Sequence, residues 1–199
     1  MKWLAMFILC IFAAIICIGA AKFPGRMDIA GIDALSKDAL LQFLMEKNSN
    51  LERNYAKRVV AAYAEECRCE GIRLLVAFAQ MCLETNYLKF TGQVKLEQNN
   101  FCGFGVAGPD NDGDYFSTVE GGVRTHVQHL KAYASKRALN NPCIDMRRAY
   151  IPAIGKLRTV KNLTKTWAMD DQYDQLIASI MANIRKSASF VWWGIGRFN

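Results

Sequence analysis

The sequence predicts a predominantly α-helical α+β domain that follows an N-terminal apolar helix. Segments with apolar residues at helical spacing make up most of residues 35–186. Between them, one glycine- and aspartate-rich segment has the pattern of a small β-hairpin. The chain has 199 residues, which suits one domain with its own hydrophobic core.

Residues 1–21 predict a signal peptide or a membrane anchor. Lys2 precedes an uncharged run from Trp3 to Ala21. This run exceeds the roughly 7–15 apolar residues of a typical signal peptide and approaches the roughly 20 that span a bilayer. Gly19–Ala21 is a candidate cleavage site. Either outcome predicts a domain in the cell envelope, anchored and facing outward or periplasmic or secreted, with residues 22–34 as its linker.

Three helices are expected in the first half of the domain. The first spans Ser36 to about Lys47, and a capping box at Ser49–Glu52 opens the second. Apolar residues at every fourth position predict one buried face of that second helix; they are Tyr55, Val59, Tyr63 and Cys67. After Gly71, the helix from about Ile72 to Glu84 is apolar on nearly every face and is expected at the centre of the core. Asn86 favours a left-handed helix cap.

The segment from residue 99 to 117 has a different character. Its sequence alternates apolar residues with glycines and carries a turn signal at Asp112-Gly113, which predicts a small hairpin or an irregular β segment. Ser117–Glu120 then reads as a capping box for a fourth helix, and a last helix is expected from about Asp170. Residues 187–199 are expected to form a C-terminal tail.

Composition restricts the partners. The net charge is +7, with scattered basic residues that are typical of a solvated surface and that also attract polyanions such as an anionic cell wall. No RNA-binding or zinc-finger signature occurs, so nucleic acid is not expected as a partner. The five cysteines beyond the leader are odd in number and lack a metal-type CxxC pair, which favours mostly buried free thiols. We expect a monomer without a metal or another cofactor.

Glu84 is the candidate catalytic acid. It ends an apolar helix and has no basic residue beside it. Burial and the negative end of the helix dipole both favour the neutral form of a carboxyl group. A glutamic acid that keeps its proton near neutral pH can protonate the oxygen that leaves a glycosidic bond. Periodicity alone leaves open the alternative that Glu84 points into solvent.

Four motifs follow one another across residues 35–184. They are AFAQMCLET at 77–85, NNFCGFG at 99–105, GVRTHVQHLKAYAS at 122–135 and WAMDDQY at 167–173. Their order and spacing resemble the bacterial glucosaminidase family, cell-wall hydrolases with a lysozyme-like α+β fold. The resemblance implies a catalytic domain over residues 35–186 that acts on peptidoglycan glycan strands. It also implies cleavage of the β-1,4 bond between N-acetylglucosamine and N-acetylmuramic acid, with Glu84 as general acid.

The resemblance further implies the residues of a sugar-binding cleft. Tyr173 matches a tyrosine beside the acid, and four residues match a cleft-lining motif: Asn99, Asn100, Gly103 and Phe104. Glycine lets a sugar approach the backbone, and asparagine can hydrogen-bond acetamido and hydroxyl groups. Turn chemistry is the alternative for this segment. Cys102 stands where many members have an aromatic residue, and Asn86 where many have glycine.

The second catalytic group is less clearly marked. A retaining glycosidase needs a carboxylate about 5–5.5 Å from the acid, and an inverting one about 6.5–9.5 Å. The candidates are Asp110, Asp112, Asp114 and Glu120. The capping box explains Glu120 without catalysis. The acetamido group of the substrate could instead act as nucleophile, which would need no second carboxylate from the protein.

Two patterns that suggest metal sites are incomplete. Asp110–Asp114 resembles a calcium loop, but Gly113 is misplaced and no glutamate stands at the bidentate position, so a solvated turn is favoured. His126 and His129 share a helical face without a third ligand, which favours a structural pair at a helix surface. Two other functions stay open: a non-catalytic wall-binding module, and a lytic transglycosylase that uses a similar single acid on a similar fold.

Overall fold

The computed structural model describes residues 27–195, except 107, 109, 110, 149, 150, 152 and 153, with side chains up to residue 188. Five α-helices occur in this part: α1 (Lys37–Lys47), α2 (Arg53–Glu70), α3 (Leu74–Glu84), α4 (Val119–Ala134) and α5 (Tyr173–Ile195). Short 3₁₀ helices lie at Leu96–Gln98 and Val160–Leu163. The predominantly helical prediction is therefore confirmed.

The predicted leader at residues 1–21 lies outside the described residues. None of the helices that the structure describes has both the length and the apolar composition needed to cross a membrane. α5 continues past residue 186 to Ile195, so part of the predicted C-terminal tail is helical.

The helix α3 forms the centre of the core. Every residue from Leu74 to Cys82 is buried, as its continuous apolar sequence predicts. α2 and α5 pack against it, and α4 packs chiefly against α2. A helix with no solvated face needs neighbours on all sides, and the amphipathic helices α2, α4 and α5 supply them.

Residues 27–34 of the predicted linker pack against the domain. Ile29 is fully buried, and short antiparallel bridges join Asp28 to Thr159 and Ala30 to Ile72. The Asp33 carboxylate accepts a hydrogen bond from the Leu75 N–H at 2.9 Å and pairs with Arg73 at 3.0 Å. An acid at this place satisfies an unpaired donor at the start of α3 and complements the helix dipole.

Helix α2 begins later than the sequence predicts. α1 begins at Lys37, one residue after the predicted start, with Ser36 as its cap. The predicted capping box that starts at Ser49 does not form. Instead the Glu52 side chain accepts hydrogen bonds from the N–H groups of Asn54 and Tyr55, at 2.8 and 2.6 Å. A carboxylate satisfies two terminal donors and complements the dipole, which a serine hydroxyl three residues earlier cannot do. The end of α2 at Gly71, with φ +69°, agrees with the prediction.

The chain reverses sharply just beyond Glu84. Asn86, Tyr87 and Leu88 have φ values of 49°, 58° and 61°, so the left-handed geometry predicted at Asn86 extends over three residues. Thr85 stabilises the reversal, because its hydroxyl donates to the Met81 carbonyl and accepts from the Leu88 N–H. The reversal leaves Glu84 at the last turn of a helix with a buried threonine next to it.

The predicted hairpin over residues 99–117 does not form paired strands in its described part, so the irregular alternative applies. Two backbone hydrogen bonds link its arms, from Asp114 N–H to the Phe104 carbonyl and from Phe116 N–H to the Gln98 carbonyl. Gly103 and Gly105 take φ values of +67° and +79°, which interrupt an extended strand.

Helix α4 is capped by Thr118, whose hydroxyl accepts from the Gly121 N–H at 3.0 Å, rather than by Ser117 as predicted. The five described cysteines are free: Cys67, Cys69, Cys82, Cys102 and Cys143. Three of them are buried, in agreement with the prediction for most of the thiols.

Candidate active site

An open cleft of about 420 Å³ lies at the C-terminal end of α3. Glu84 forms part of its lining, together with the loop that contains Gly103 and Phe104. His129 and Tyr133 of α4 and Trp167 line it as well. The cleft therefore gathers residues from all four sequence motifs, and Tyr173 of the fourth motif lies immediately behind Glu84.

The Glu84 carboxyl group is held by Tyr173 at one oxygen and faces Gly103 of the cleft loop with the other. Its Oε1 accepts a short hydrogen bond from the Tyr173 hydroxyl, which in turn accepts from Gln80 Nε2 at 2.8 Å. Its Oε2 lies on the side of Gly103, where a Cβ atom would stand 3.6 Å from it. Oε2 is therefore the oxygen next to the loop that lines the cleft.

Burial dominates the electrostatics of Glu84. It raises the pKa of this carboxyl from 4.5 to about 6, although hydrogen bonds from Tyr173 and Trp167 act to lower it. The phenol of Tyr173 stays protonated, since burial and the nearby Glu84 charge hold its pKa well above the usual range. Below about pH 6, Glu84 thus carries a proton at the edge of a cleft, which is the requirement for a general acid.

Gly103 and Phe104 form the wall next to the acid. Any side chain at residue 103 would occupy the space in front of Glu84, and the backbone there has a φ of +67° that favours glycine. The Phe104 ring is 7% exposed; it packs edge-on against His129 at 4.8 Å and lies under the Arg147 guanidinium at 5.4 Å. Phe104 shapes the cleft more than it offers a free surface to a sugar.

Asn99 and Asn100 hold the cleft loop together. Asn100 is fully buried, donates to the carbonyls of Phe104 and Asp114 and accepts from the Phe104 N–H. Asn99 donates to the Phe116 carbonyl at 3.0 Å. Turn chemistry, the alternative raised by the sequence, accounts for both side chains, because the irregular segment needs their amides to satisfy backbone groups.

None of the described candidates for a second carboxylate is among the residues that line the cleft. Asp114 forms an ion pair with Arg147 at 2.9 Å, and Asp112 is exposed. Glu120 is also exposed and binds Arg58 of α2 with both oxygens, at 2.8 Å each, so it is not a capping residue either. Asp110 lies outside the described residues. Of the described residues that line the cleft, Glu84 is the only carboxylate.

Sequence reasoning missed the aromatic side of the cleft. The Trp167 ring contacts His129 and Tyr133, with ring centroids 5.2 and 5.5 Å apart. Two signals were available: Trp167 opens the last motif, and His129 and Tyr133 are one helical turn apart. Flat aromatic surfaces of this kind suit the apolar faces of sugar rings.

The sequence predicts a pair of histidines at a helix surface, but the structure places both of them inside the protein. His126 is fully buried, and His129 is largely buried with its Nδ1 bonded to the Asp145 carboxylate at 2.8 Å. The helix face that carries them is covered by Trp167 and by α2, so both become interior residues. Within the described ranges, no group of three or more metal-ligating side chains is arranged to hold an ion.

A second cavity, of about 850 Å³, lies beside residues 28–32 and the ends of α2 and α4. Its buried charged groups are Glu70 and Lys131, which bind each other at 2.6 Å. Glu70 also accepts from the N–H groups of Asn140 and Asn141. Although this cavity is larger, its buried acid Glu70 is fully engaged and its other acid, Asp28, is exposed, so we place the candidate active site at Glu84.

Comparisons with known proteins match the part of the chain that contains this cleft. A family model described as glucosaminidase, mannosyl-glycoprotein endo-β-N-acetylglucosaminidase, matches residues 60–186. An uncharacterized protein of Borreliella burgdorferi is 38% identical over 145 residues, which cover 73% of this chain and 71% of that protein. No solved structure matches the chain. The matched region extends from α2 into α5 and contains the whole cleft.

Proposed function

This chain belongs to the glucosaminidase family, and from that premise we propose that it is a peptidoglycan hydrolase with Glu84 as its general acid. The bond that it cleaves is the β-1,4 bond between N-acetylglucosamine and N-acetylmuramic acid. The observation that carries the proposal is the state of Glu84: a cleft-lining carboxyl with a pKa raised to about 6 and one oxygen fixed by Tyr173.

The proposed first step is proton transfer from Glu84 Oε2 to the glycosidic oxygen. The bond between that oxygen and C1 of N-acetylglucosamine breaks, and the N-acetylmuramic acid side leaves as an alcohol. Glu84 becomes a carboxylate, which the Tyr173 hydroxyl stabilises by donating to Oε1. Stabilisation that increases as charge develops lowers the barrier rather than tightening substrate binding.

For the nucleophile we propose the acetamido carbonyl oxygen of the same N-acetylglucosamine unit. It attacks C1 as the leaving group departs and forms a bicyclic oxazolinium. Water then attacks C1, its proton passes to the Glu84 carboxylate, and the β configuration is retained. This route is favoured because Glu84 is the only carboxylate among the described cleft residues, and because Asp114 is neutralised by Arg147.

The identity of the cleaved bond is tested at the new chain end. Purified peptidoglycan is digested with the full chain, treated with borohydride and hydrolysed in acid, which converts the sugar at each new reducing end to its alditol. We expect glucosaminitol. Muramicitol would place the cut at the other glycosidic bond. Wall binding without any alditol and without release of soluble fragments would favour the non-catalytic module.

Tyr173→Phe should lower activity more than stability. The variant keeps a ring that packs at the start of α5 but loses the hydroxyl that fixes Glu84. Loss of a hydrogen bond to a charged group predicts a fall in turnover of about 10- to 100-fold, against about 1 kcal/mol in the free energy of unfolding. Turnover per folded molecule and thermal melting check this expectation. A steep fall in melting temperature with unchanged turnover would make Tyr173 a core residue only.

We also propose that the domain works in the cell envelope, anchored by residues 3–21. The support is the length of the uncharged run and the location of peptidoglycan outside the cytoplasm. N-terminal sequencing of the protein from its native membrane fraction should then find the leader retained. A mature terminus near Lys22 would mean cleavage and release from the anchor.

A further inference from the structure

A buried chain of hydrogen bonds runs from helix α2 to the carboxyl group of Glu84. The Tyr63 hydroxyl forms a hydrogen bond with His126 Nδ1 at 2.7 Å, and His126 Nε2 forms one with Gln80 Oε1 at 3.1 Å. Gln80 Nε2 then bonds the Tyr173 hydroxyl at 2.8 Å, and that hydroxyl bonds Glu84 Oε1. The three residues farthest from the cleft have no exposed surface.

The chemistry of each group gives this chain a single direction. Gln80 Nε2 is a donor only, so the Tyr173 oxygen accepts from it and its own proton is left for Glu84. The Gln80 amide oxygen then faces His126, whose Nε2 must carry the proton. His126 Nδ1 is consequently an acceptor for Tyr63. Burial, followed by the charge of His129, lowers the pKa of His126 to about 3, so this ring is neutral and has one donor and one acceptor nitrogen.

We propose that Tyr63, His126 and Gln80 are positioning residues that hold the Tyr173 hydroxyl directed at Glu84. This inference deepens the proposed function and rests on Glu84 being the acid. The three side chains come from α2, α4 and α3, so the geometry of the acid depends on how these helices pack around the core. Polar groups at such depth are costly unless every link is made, and an apolar trio could fill the same space.

We call the hydrogen-bonded chain of Tyr63, His126, Gln80 and Tyr173 the relay. The relay acts on both the orientation and the ionisation of Glu84. A hydroxyl that already accepts a hydrogen bond is a better donor, so an intact relay stabilises the carboxylate and keeps its oxygen in place. Without Gln80, the Tyr173 oxygen is free to accept a hydrogen bond from the O–H group of neutral Glu84. The neutral acid becomes more stable, and the carboxyl loses its fixed orientation.

The other groups near Glu84 form no hydrogen bond with Tyr63, His126 or Gln80 among the described residues. On the loop side is Cys102, a buried thiol whose pKa is raised well above its usual range by burial. On the aromatic side is Trp167, which acts to lower the pKa of Glu84. Within the cleft the ionisable neighbours are Arg147, which is paired with Asp114, and His129, which is hydrogen-bonded to Asp145. Variants at positions 80 and 63 leave all of these side chains intact.

The test uses Gln80→Met and Tyr63→Phe in the full chain, with Tyr55→Phe as the matched control. Tyr55 is also on α2, and its buried hydroxyl has no hydrogen-bond partner among the described residues, so this variant removes a similar group outside the relay. Two readouts are measured: the pH profile of turnover on peptidoglycan, and the NMR titration of the ¹³C-labelled Glu84 carboxyl, assigned with Glu84→Gln.

For Gln80→Met we expect turnover to fall about 10-fold and the Glu84 titration to move up by about half to one pH unit, with the alkaline limb of the profile moving equally. For Tyr63→Phe we expect changes of the same sign, about 3-fold in turnover. Tyr55→Phe should match the wild type. If Gln80→Met does not fold, the isosteric Tyr63→Phe decides the question.

If these hydrogen bonds only stabilised the fold, the variants would melt at a lower temperature, but Glu84 in the folded variants would titrate as it does in the wild type. That result, in a wild type that cleaves peptidoglycan, would overturn the relay and leave the proposed function standing. If the wild type cleaves no peptidoglycan while the titration still shifts in the variants, the proposed function fails and the positioning of Glu84 by the relay stands.

Discussion

Glu84→Gln is expected to lower turnover on peptidoglycan by about 10²- to 10⁴-fold, the usual contribution of general acid catalysis. The amide keeps the size of the side chain and can still accept from Tyr173, but it has no proton to transfer. Binding to insoluble peptidoglycan should persist, since the cleft walls and the basic surface are unchanged. Turnover is measured as release of reducing ends, and binding by sedimentation with the wall.

The same variant should be more stable than the wild type at pH 8. A carboxyl whose folded pKa is raised to about 6 destabilises the folded state once it ionises, so the free energy of unfolding falls as pH rises from about 4.5 to 6. The shift corresponds to at most about 2 kcal/mol, and partial exposure of Glu84 reduces this to about 1 kcal/mol. Thermal melting should therefore show a gain at pH 8 that vanishes at pH 4.

Glu120→Gln is the matched control for Glu84→Gln. It removes one carboxylate from an exposed ion pair with Arg58, outside the cleft, so turnover should stay within about 2-fold of the wild type and stability within about 1 kcal/mol. A Glu84→Gln protein with wild-type turnover would remove Glu84 from catalysis. No other carboxylate among the described residues that line the cleft could then take its place as the general acid.

Gly122→Ala is expected to cause the largest loss of stability. A Cβ atom at Gly122 would overlap the Asn99 carbonyl oxygen and lie 3.2 Å from the Phe101 ring. Asn99 cannot retreat easily, because its side chain is bonded to Phe116 and its backbone is in the left-handed region. Overpacking of this kind predicts a loss of about 3 kcal/mol, or about 6–12 °C in melting temperature.

Gly121→Ala provides the comparison at the neighbouring position of α4. A Cβ atom there would meet only the Thr118 hydroxyl, at 3.2 Å, and alanine improves helix propensity by about 1 kcal/mol. We expect stability within about 1 kcal/mol of the wild type. Equal melting temperatures for the two variants would show that the cleft loop does not rest on α4 at Gly122.

The helices could be predicted because their signals are local. The continuous apolar run of α3, the four-residue spacing in α2 and the left-handed preference of Asn86 each act within a few residues. The start of α2 was misplaced because serine and glutamate are both good caps, and only the structure shows that Glu52 reaches the free N–H groups. Paired strands were predicted over residues 99–117 but do not form in the described part, because Gly103 and Gly105 take left-handed conformations. The alternation of apolar residues in the sequence does not reveal these conformations.

The site could be predicted only at residues that the motifs single out. Glu84 follows from the polarity change at the end of α3, and Tyr173 from the family resemblance. For Asn100 the sequence leaves sugar binding and turn chemistry equally open, because an asparagine in a motif can serve either purpose. Its burial, which favours turn chemistry, depends on the folded loop and is not visible in the sequence. Gln80 and His126 were missed since their partners lie 93 and 46 residues away along the chain, although a lone glutamine in an apolar helix was a signal.

Mass spectrometry of the soluble products is the most direct test of Glu84 as the acid of a hydrolase. Peptidoglycan is digested at pH 5.5 by the wild type and by Glu84→Gln in parallel. We expect the wild type to release fragments that end in reducing N-acetylglucosamine, and Glu84→Gln to release almost none. Fragments that end in an anhydro sugar, one water lighter, would identify a lytic transglycosylase, and equal release by both proteins would contradict the role of Glu84.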